Sequence, residues 1–347
     1  MVKRPYTHPL DLRDGRIDLS HGSGGRAMAQ LIEELFETHF DNPWLAGRND
    51  QACFEVPGGQ MVMTTDGFVI SPLFFPGGDI GSLAVHGTIN DIAMAGARPL
   101  YLAVALIIEE GFPLADLHTI IASMAEAARE AGVSIVTGDT KVVERGKGDG
   151  VFITTTGVGR VPEEVHISAD RARPGDAILL SGTIGDHGIA VLSRRENLTF
   201  ETEIRSDSAA LHTLVAEMVR AVPGIHAMRD PTRGGLATLR NEIARESRVG
   251  MTIREDSIPV NPGVAGACEL LGLDPLYAAN EGKLVAFCPA TDADRLLAVM
   301  RAHPLGRQAA IIGEVIEDPD CFVQMETAFG GNRLVDWLAG EQLPRIC

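Results

Sequence analysis

The chain ends in PRIC, so a thiol, Cys347, sits on its last residue, where it can travel as an internal cysteine cannot. A thiol is a nucleophile only as its thiolate. The terminal carboxylate beside it raises its pKa, so another feature of the site has to favour any reaction there. A chance cysteine on a tolerant tail is the plain alternative. A lipid anchor is disfavoured, because a C-a-a-X box needs cysteine fourth from the end and Pro344 stands there.

A second set of residues is acidic: Asp50 in RNDQACFE, Asp66 in TTDG, Asp91 in TINDIAMAGA, Asp139 in TGDTK and Asp230 in RDPTRGG. Singly, each is an ordinary cap or turn former. Together they suit Mg²⁺–phosphate coordination, because several follow strands where α/β folds build ligand sites. The segment HGSGGR, with Gly22, Gly24 and Gly25, can turn backbone N–H groups toward an anion at a helix start. It lacks P-loop spacing and follows no strand, so a plain loop accounts for it equally well. Lys141 and Glu281 read from the residues alone as solvated charges at strand ends, and Arg233 either as a phosphate clamp or as a surface residue.

These groups are carried by alternating helices and strands. Behind HGSGGR, the residues Met28, Leu31, Ile32, Leu35 and Phe36 recur at helical spacing. GQMVMTTDG reads as a strand ending at Asp66-Gly67, SLAVHGTINDIAMAGA as a helix bearing Asn90 and Asp91, and YLAVALIIE as a strand. An amphipathic helix closed by Gly132 follows, then VSIVTGDTK as a strand running into a turn, then the strand VFITTTGVG. A second series begins near residue 165 with AILLSG, helices near 186–195 and 207–220, and RDPTRGGLATLRNEIARES; the turn ANEGK opens the strand LVAFC. The expected divisions are an N-terminal segment 1–45, a domain 46–165, a domain 166–336 and a flexible tail 337–347. LAGEQLPRIC, with its Gly, Pro and lost periodicity, reads as a frayed end.

At 347 residues, 45% hydrophobic and 22% charged, the chain has the composition of a two-domain α/β enzyme. A formal charge of −17 argues against a duplex nucleic-acid partner but not against a nucleotide, since Mg²⁺ bridges carboxylates to phosphates. The five cysteines show no zinc spacing, which fits a reducing cytoplasm. No apolar run approaches the roughly 20 residues that span a bilayer, and the first residues lack the apolar core of a signal peptide.

Taken in order, SHGSGGR, NDQACF, TTDG, INDIAMAGA, TGDTK, DPTRGG, NEGK and PRIC resemble the HypE family of hydrogenase maturation factors. The order up to DPTRGG is shared with the wider superfamily of aminoimidazole ribonucleotide synthetase (PurM) and selenophosphate synthetase; PRIC singles out HypE. The resemblance covers nearly the whole chain. It implies a two-domain PurM-like α/β (α+β) fold and a homodimer whose N-terminal sheets pair into a barrel, with ATP and Mg²⁺ bound near that interface. It further implies that a partner carbamoyltransferase, HypF, loads a carbamoyl group on the C-terminal thiol. ATP-dependent dehydration then gives a thiocyanate, and its cyanide passes to the iron of a [NiFe]-hydrogenase held by the HypC–HypD complex.

Carried onto this sequence, the resemblance makes Asp50, Asp91 and Asp230 the Mg²⁺ residues, with Asp66 and Asn90 beside the nucleotide. Gly138, Asp139 and Thr140 form a facing turn, Lys141 meets the carbamoyl oxygen or the transferring phosphoryl group, and Glu281 is the base. The first acidic motif departs from its relatives by reading Asn49-Asp50 rather than two adjacent acids, which leaves the Mg²⁺ count open. A selenophosphate-synthetase-like enzyme is the nearest rival, but it carries its Cys or selenocysteine in the glycine-rich segment, and here no cysteine precedes Cys53. A nonenzymatic assembly scaffold is the rival of another class, and ATP turnover discriminates it.

Overall fold

The computed structural model describes residues 9, 25–31, 33–34, 52–56, 59–200, 203–338, 343 and 345–347. The first helix, α1 (Arg26–Leu31), accounts for the start of the helical pattern seen behind the glycine-rich segment. Gly25 precedes it and is buried so tightly that a Cβ would stand 2.6 Å from the Leu338 carbonyl oxygen.

A five-stranded sheet forms next from β1 (Ala52–Val56), β2 (Gly59–Phe68), β5 (Arg98–Glu109), β6 (Ser134–Val143) and β7 (Val151–Val161), in the order β1-β2-β7-β5-β6. The short pair β3 (Phe74–Phe75) and β4 (Gly78–Asp79) leads into helix α2 (Ile80–Met94), and α3 (Leu114–Glu130) crosses from β5 to the parallel β6. Helix α2 starts where Asp79 caps it: its Oδ1 accepts the N–H of Gly81 at 2.7 Å and of Ser82 at 3.2 Å, and the Ser82 hydroxyl reaches back to the Asp79 N–H. The Ser123 hydroxyl of α3 donates to the same oxygen at 2.5 Å, so one carboxylate starts one helix and ties it to another. Asp79→Ala is expected to cost about 1–2 kcal/mol of stability, read as a lower urea midpoint at unchanged slope.

The residues of α2 that face the sheet are small or branched. Gly157 and Gly159 of β7 leave room for Ile92, whose side chain would lie 2.6 and 2.5 Å from added Cβ atoms. Among the described residues no helix lies over the opposite face of the sheet. Met63, Val158 and Tyr101 stand in register there, with Met63 43% and Tyr101 51% exposed. Edge strand β6 is exposed along nearly its whole length. An uncovered apolar face ending in an open edge is the kind of surface that pairing with another chain removes.

The second sheet has seven strands in the order β14-β13-β10-β12-β8-β11-β9. In chain order its elements are β8 (Asp176–Leu180), α4 (Asp186–Arg195), α5 (His212–Ala221), β9 (Ala227–Arg229), α6 (Gly235–Ser247), β10 (Gly250–Arg254), α7 (Pro262–Leu271), β11 (Val285–Pro289), α8 (Ala293–Ala302), β12 (Ala310–Ile316), β13 (Val323–Glu326) and β14 (Asn332–Leu334). Its pairings are antiparallel except β10 with β13. All five residues of β8 are buried, as a central strand covered on both faces requires. Leu214, Met218, Leu296 and Met300 from α5 and α8 fill one core, which also takes in Val62, Ile92 and Met94 from the first unit. Leu236, Leu239 and Ile243 of α6 belong to another. The two sheets thus share a continuous core.

Two expected turns are strand instead. Asp66 lies inside β2, which continues to Phe68 because its ladder with β7 runs on to Ile153. Gly138, Asp139 and Thr140 lie inside β6, whose pairing with β5 extends through Val143; a Cβ at Gly138 would come within 2.3 Å of the Val104 carbonyl oxygen. The glycine there serves a close strand approach rather than a turn. Among the described residues no helix is long and apolar enough to cross a membrane.

Candidate active site

The loop ahead of β11 carries Glu281, and two side chains from distant parts of the chain, with the loop's own Asn280, hold it. Asn90 on α2, 1% exposed, donates to the carbonyls of Ala209 at 3.0 Å and Glu281 at 3.1 Å and accepts the Leu211 N–H at 2.8 Å. Asn280 is fully buried, accepts the Gly185 N–H at 2.8 Å and donates to Pro231 at 2.9 Å, tying the loop to the one that bears Asp230 and Arg233. Asp207 accepts the N–H of Glu281 at 3.1 Å and of Gly282 at 3.2 Å, and it pairs with Lys283 Nζ at 3.0 Å. Burial alone would raise the Asp207 carboxyl, but Lys283 and the Glu281 N–H outweigh it and hold the carboxyl below the usual range. Neither Asn280 nor Asp207 was a candidate from sequence. Asn280 adjoins the glutamate in ANEGK, whereas nothing in the run before α5 marks Asp207.

So held, Glu281 is 3% exposed and its Oε1 has no hydrogen-bond partner among the described residues. Burial, followed by the charges of Asp230, Asp207 and Asp66, pushes its pKa well above its ordinary value, and Arg233 opposes them. This displacement is a stability statement. Above pH ~4.5 the unfolded chain loses the proton that folded Glu281 keeps, so stability falls as pH rises toward the folded pKa. Glu281→Gln removes that penalty. The variant is expected to melt higher than the parent, by a margin that widens from pH 5 to pH 8 in paired thermal melts.

Asp91 on α2 accepts the Thr64 hydroxyl at 2.7 Å, linking the helix to β2 beside Asp66. Asp66, Asp91, Asp230, Glu281 and Arg233 form one electrostatic neighbourhood around Cys347. Arg233 is raised chiefly by Cys347 and then, against burial, by Asp66, Glu281 and Asp91. The thiol is half-buried and pushed up to about 12, first by burial and then by Glu281, Asp66 and Asp230, with Arg233 working the other way. At rest it is protonated and a poor nucleophile.

The tail, expected to be frayed, is docked here. Val69 N–H donates to the Cys347 carbonyl and Ser71 N–H to the Arg345 carbonyl, both at 3.1 Å, so the last residues run antiparallel to the chain leaving β2. Arg195 on α4 donates to the Ser71 and Arg345 carbonyls, His187 on the same helix donates to the Ile346 carbonyl at 2.8 Å, and Arg345 contacts Asp149 and the Val69 carbonyl. Ile346 is 5% exposed. These partners lie far away in sequence, which is why Gly, Pro and lost periodicity could not reveal them.

The other candidates fall elsewhere. Gly22, Gly24 and Asp50 lie outside the described residues. Gly25 packs on Leu338, as above. Lys141 and Asp139 pair with each other at 2.7 Å, and Thr140 donates its N–H to Asp139. Asp66 is in register with Thr155, Val104 and Gly138, whereas Asp139 and Lys141 are in register with Ala105 and Ile107 and so share the uncovered face. Within one chain, Lys141 is on the opposite side of the sheet from Asp66.

Among the described residues no three metal-binding groups close a cage of their own. The arrangement suits Mg²⁺ nonetheless, since that ion takes one or two carboxylates and completes its octahedron with phosphate oxygens and water. An excess of negative charge around Glu281, opposed by Arg233, is an environment that a cation relieves. The donor set is all oxygen, as a hard cation prefers.

Residues 48–161 match the family model of the AIR synthase related protein, N-terminal domain, and residues 173–326 match that of its C-terminal domain. The carbamoyl dehydratase HypE of Cupriavidus necator is 70% identical over 347 residues, covering 100% of this chain and 99% of that one. This chain belongs to the HypE family. Among solved structures, a HypE–HypF complex superposes with a TM-score of 0.85 at 49% identity over 89% of this chain and 99% of the other. A HypE structure in complex with ATP superposes at 0.81 with 52% identity over 96% and 100%. The two-domain PurM-like architecture of the HypE fold is therefore the architecture of this chain.

Proposed function

We propose that the chain is an ATP-dependent carbamoyl dehydratase acting on its own C-terminus, converting a thiocarbamate on Cys347 to a thiocyanate for the iron of a [NiFe]-hydrogenase. The observation that carries this reading is the docked tail: it brings Cys347 beside a buried glutamate with a partnerless oxygen, an arginine and three aspartates. Membership of the HypE family supports it, as do relatives named carbamoyl dehydratases and a relative solved with ATP.

A carbamoyl oxygen leaves poorly as hydroxide, and ATP supplies the phosphoryl group that makes it a leaving group. The chain's own residues do the rest. Both N–H protons of the carbamoyl group must leave for the C≡N bond to form, one as its oxygen takes the phosphoryl group and one as phosphate departs; Glu281, in its ionised form, takes one of them and the departing phosphate carries the other. Arg233 holds anionic oxygens; Asp91 and Asp230, with Asp50, would hold the Mg²⁺ that the resemblance implies, and Asp66 stands beside the nucleotide. The buried surroundings keep water from intercepting the product.

The uncovered sheet face supports a homodimer, which would carry Lys141 of one chain toward the carboxylates of the other. HypF is the proposed source of the carbamoyl group, as the HypE–HypF complex suggests, and the HypC–HypD complex is the proposed recipient of the cyanide. A thiol that serves several sites needs a tail able to leave its dock, so docking and release alternate. A reducing cytoplasm suits that free thiol.

The test is the intact mass of the C-terminal peptide after incubation with carbamoyl phosphate, HypF and ATP. A gain of one carbamoyl group that converts to a species lighter by one water is expected, and Cys347→Ala should show neither. No adduct where HypF is demonstrably active would sink the reading.

A further inference from the structure

Residues 206–208, the run Ser-Asp-Ser ahead of α5, touch three different parts of the site. The Ser206 hydroxyl lies 2.8 Å from His187 Nδ1, and His187 Nε2 lies 2.8 Å from the Ile346 carbonyl oxygen. A carbonyl only accepts, so Nε2 carries a proton; burial holds the imidazole below its ordinary pKa, so the neutral ring accepts at Nδ1 and the Ser206 hydroxyl donates. That hydroxyl in turn accepts the Ser208 N–H at 3.1 Å, and the Ser206 N–H donates to the Pro76 carbonyl at 2.8 Å. The imidazole is fully buried and meets the Phe75 ring edge-on at 5.4 Å, so both its nitrogens and its plane are specified. Asp207 carries the Glu281 turn, and the Ser208 hydroxyl is 3.0 Å from His86 Nδ1 on α2. The fit is close: a Cβ at Gly282 would stand 1.8 Å from the Asp207 carbonyl oxygen, and one at Gly77 would stand 2.8 Å from the Ser206 nitrogen.

None of these side chains is needed for the chemistry proposed above. We infer that Ser206–Ser208 is a positioning strap, which fixes the docked tail through His187 and the Glu281 turn through Asp207, so that thiol and base are held in one register. The role of the base rests on the dehydratase reading; the latch on the tail does not. His187 and Asp207 are thus positioning residues that act through Ile346 and Glu281.

The experiment follows iodoacetamide labelling of each cysteine by peptide mass in the full-length protein. His187→Phe keeps a buried ring against Phe75, and Ser206→Ala removes the hydroxyl that donates to His187 and accepts the Ser208 N–H. Both are expected to speed labelling at Cys347, by about fivefold or more for His187→Phe. The buried Cys268 and Cys288 should stay protected, reporting an intact fold. Asp207→Asn should leave Cys347 labelling at the parent rate while slowing conversion of a preloaded carbamoyl tail, without changing KM for ATP.

Parent-rate labelling of Cys347 in both latch variants overturns the inference. So does a rise shared with Cys268 and Cys288 in Ser206→Ala, since that marks a merely structural role. Unslowed conversion in Asp207→Asn removes the strap's hold on the base. If the parent converts no carbamoyl at all, the dehydratase reading fails, and the labelling contrast still decides the latch.

Discussion

With Glu281 replaced by glutamine, a tail already carrying its carbamoyl group is expected to stay carbamoylated in the presence of ATP, with conversion slowed by about a hundredfold or more. Glutamine preserves volume, and the turn is held through its backbone by Asn90 and Asp207, so the substitution should leave the loop in place. What disappears is a proton acceptor whose pKa is displaced upward. ATP binding should persist, because Glu281 carries none of the cation or phosphate contacts assigned to the aspartates and Arg233. Mass of the tail peptide over time, with nucleotide binding measured in parallel, decides the matter. A parent-like rate would remove Glu281 from the reaction and return the search to the neighbouring carboxylates.

Lys141→Ala is expected to be equally crippling, although its side chain is 68% exposed and paired only with Asp139. The face that carries it points away from Asp66 within one chain, so its route to the carbamoyl oxygen runs through a second chain. A mixing experiment exposes this. Lys141→Ala and Glu281→Gln homodimers should each be inactive, whereas a randomly exchanged mixture should recover about a quarter of parental activity, since half the dimers then hold one intact site. No recovery in a mixture shown to contain heterodimers would mean that both residues act from one chain, or that Lys141 is a surface charge.

The sequence made some parts of this molecule plain and hid others for identifiable reasons. The amphipathic helix 114–130 shows its 3.6-residue spacing openly, because one face meets the sheet and the other meets water. The strand at 285–289 is a short apolar run after a turn, and it proves to be an interior strand, buried along nearly its whole length. The acids at TTDG, INDI and RDPT stood out by residue type, and the structure brings them into one neighbourhood around Cys347. Asp66 and Gly138, by contrast, were read as turn residues, since Asp-Gly and Gly-Asp are strong local turn signals. A long ladder with β7 and β5 overrode that preference, and a ladder partner is invisible to local reading.

The scaffolding of the base was equally hidden. Asn280 and Asp207 are polar side chains whose value lies in which buried N–H groups they meet. Nothing in their own neighbourhoods announces those partners. The docked tail is the sharpest case, because its last residues have no pattern of their own and borrow their order from Val69, Ser71, His187 and Arg195.

By itself, the order of residue types determined that this is a two-domain α/β protein of the HypE family, with a terminal thiol, acids suited to Mg²⁺ and phosphate, and a candidate base in NEGK. Periodicity and short motifs are local, and they survive in a linear reading. The tertiary structure alone decided that Glu281 is buried with an unpartnered oxygen, that Cys347 is brought beside it, and that Lys141 stands on the other face of the sheet. Burial, desolvation and strand register depend on groups far away in sequence, so they exist only once the chain has folded.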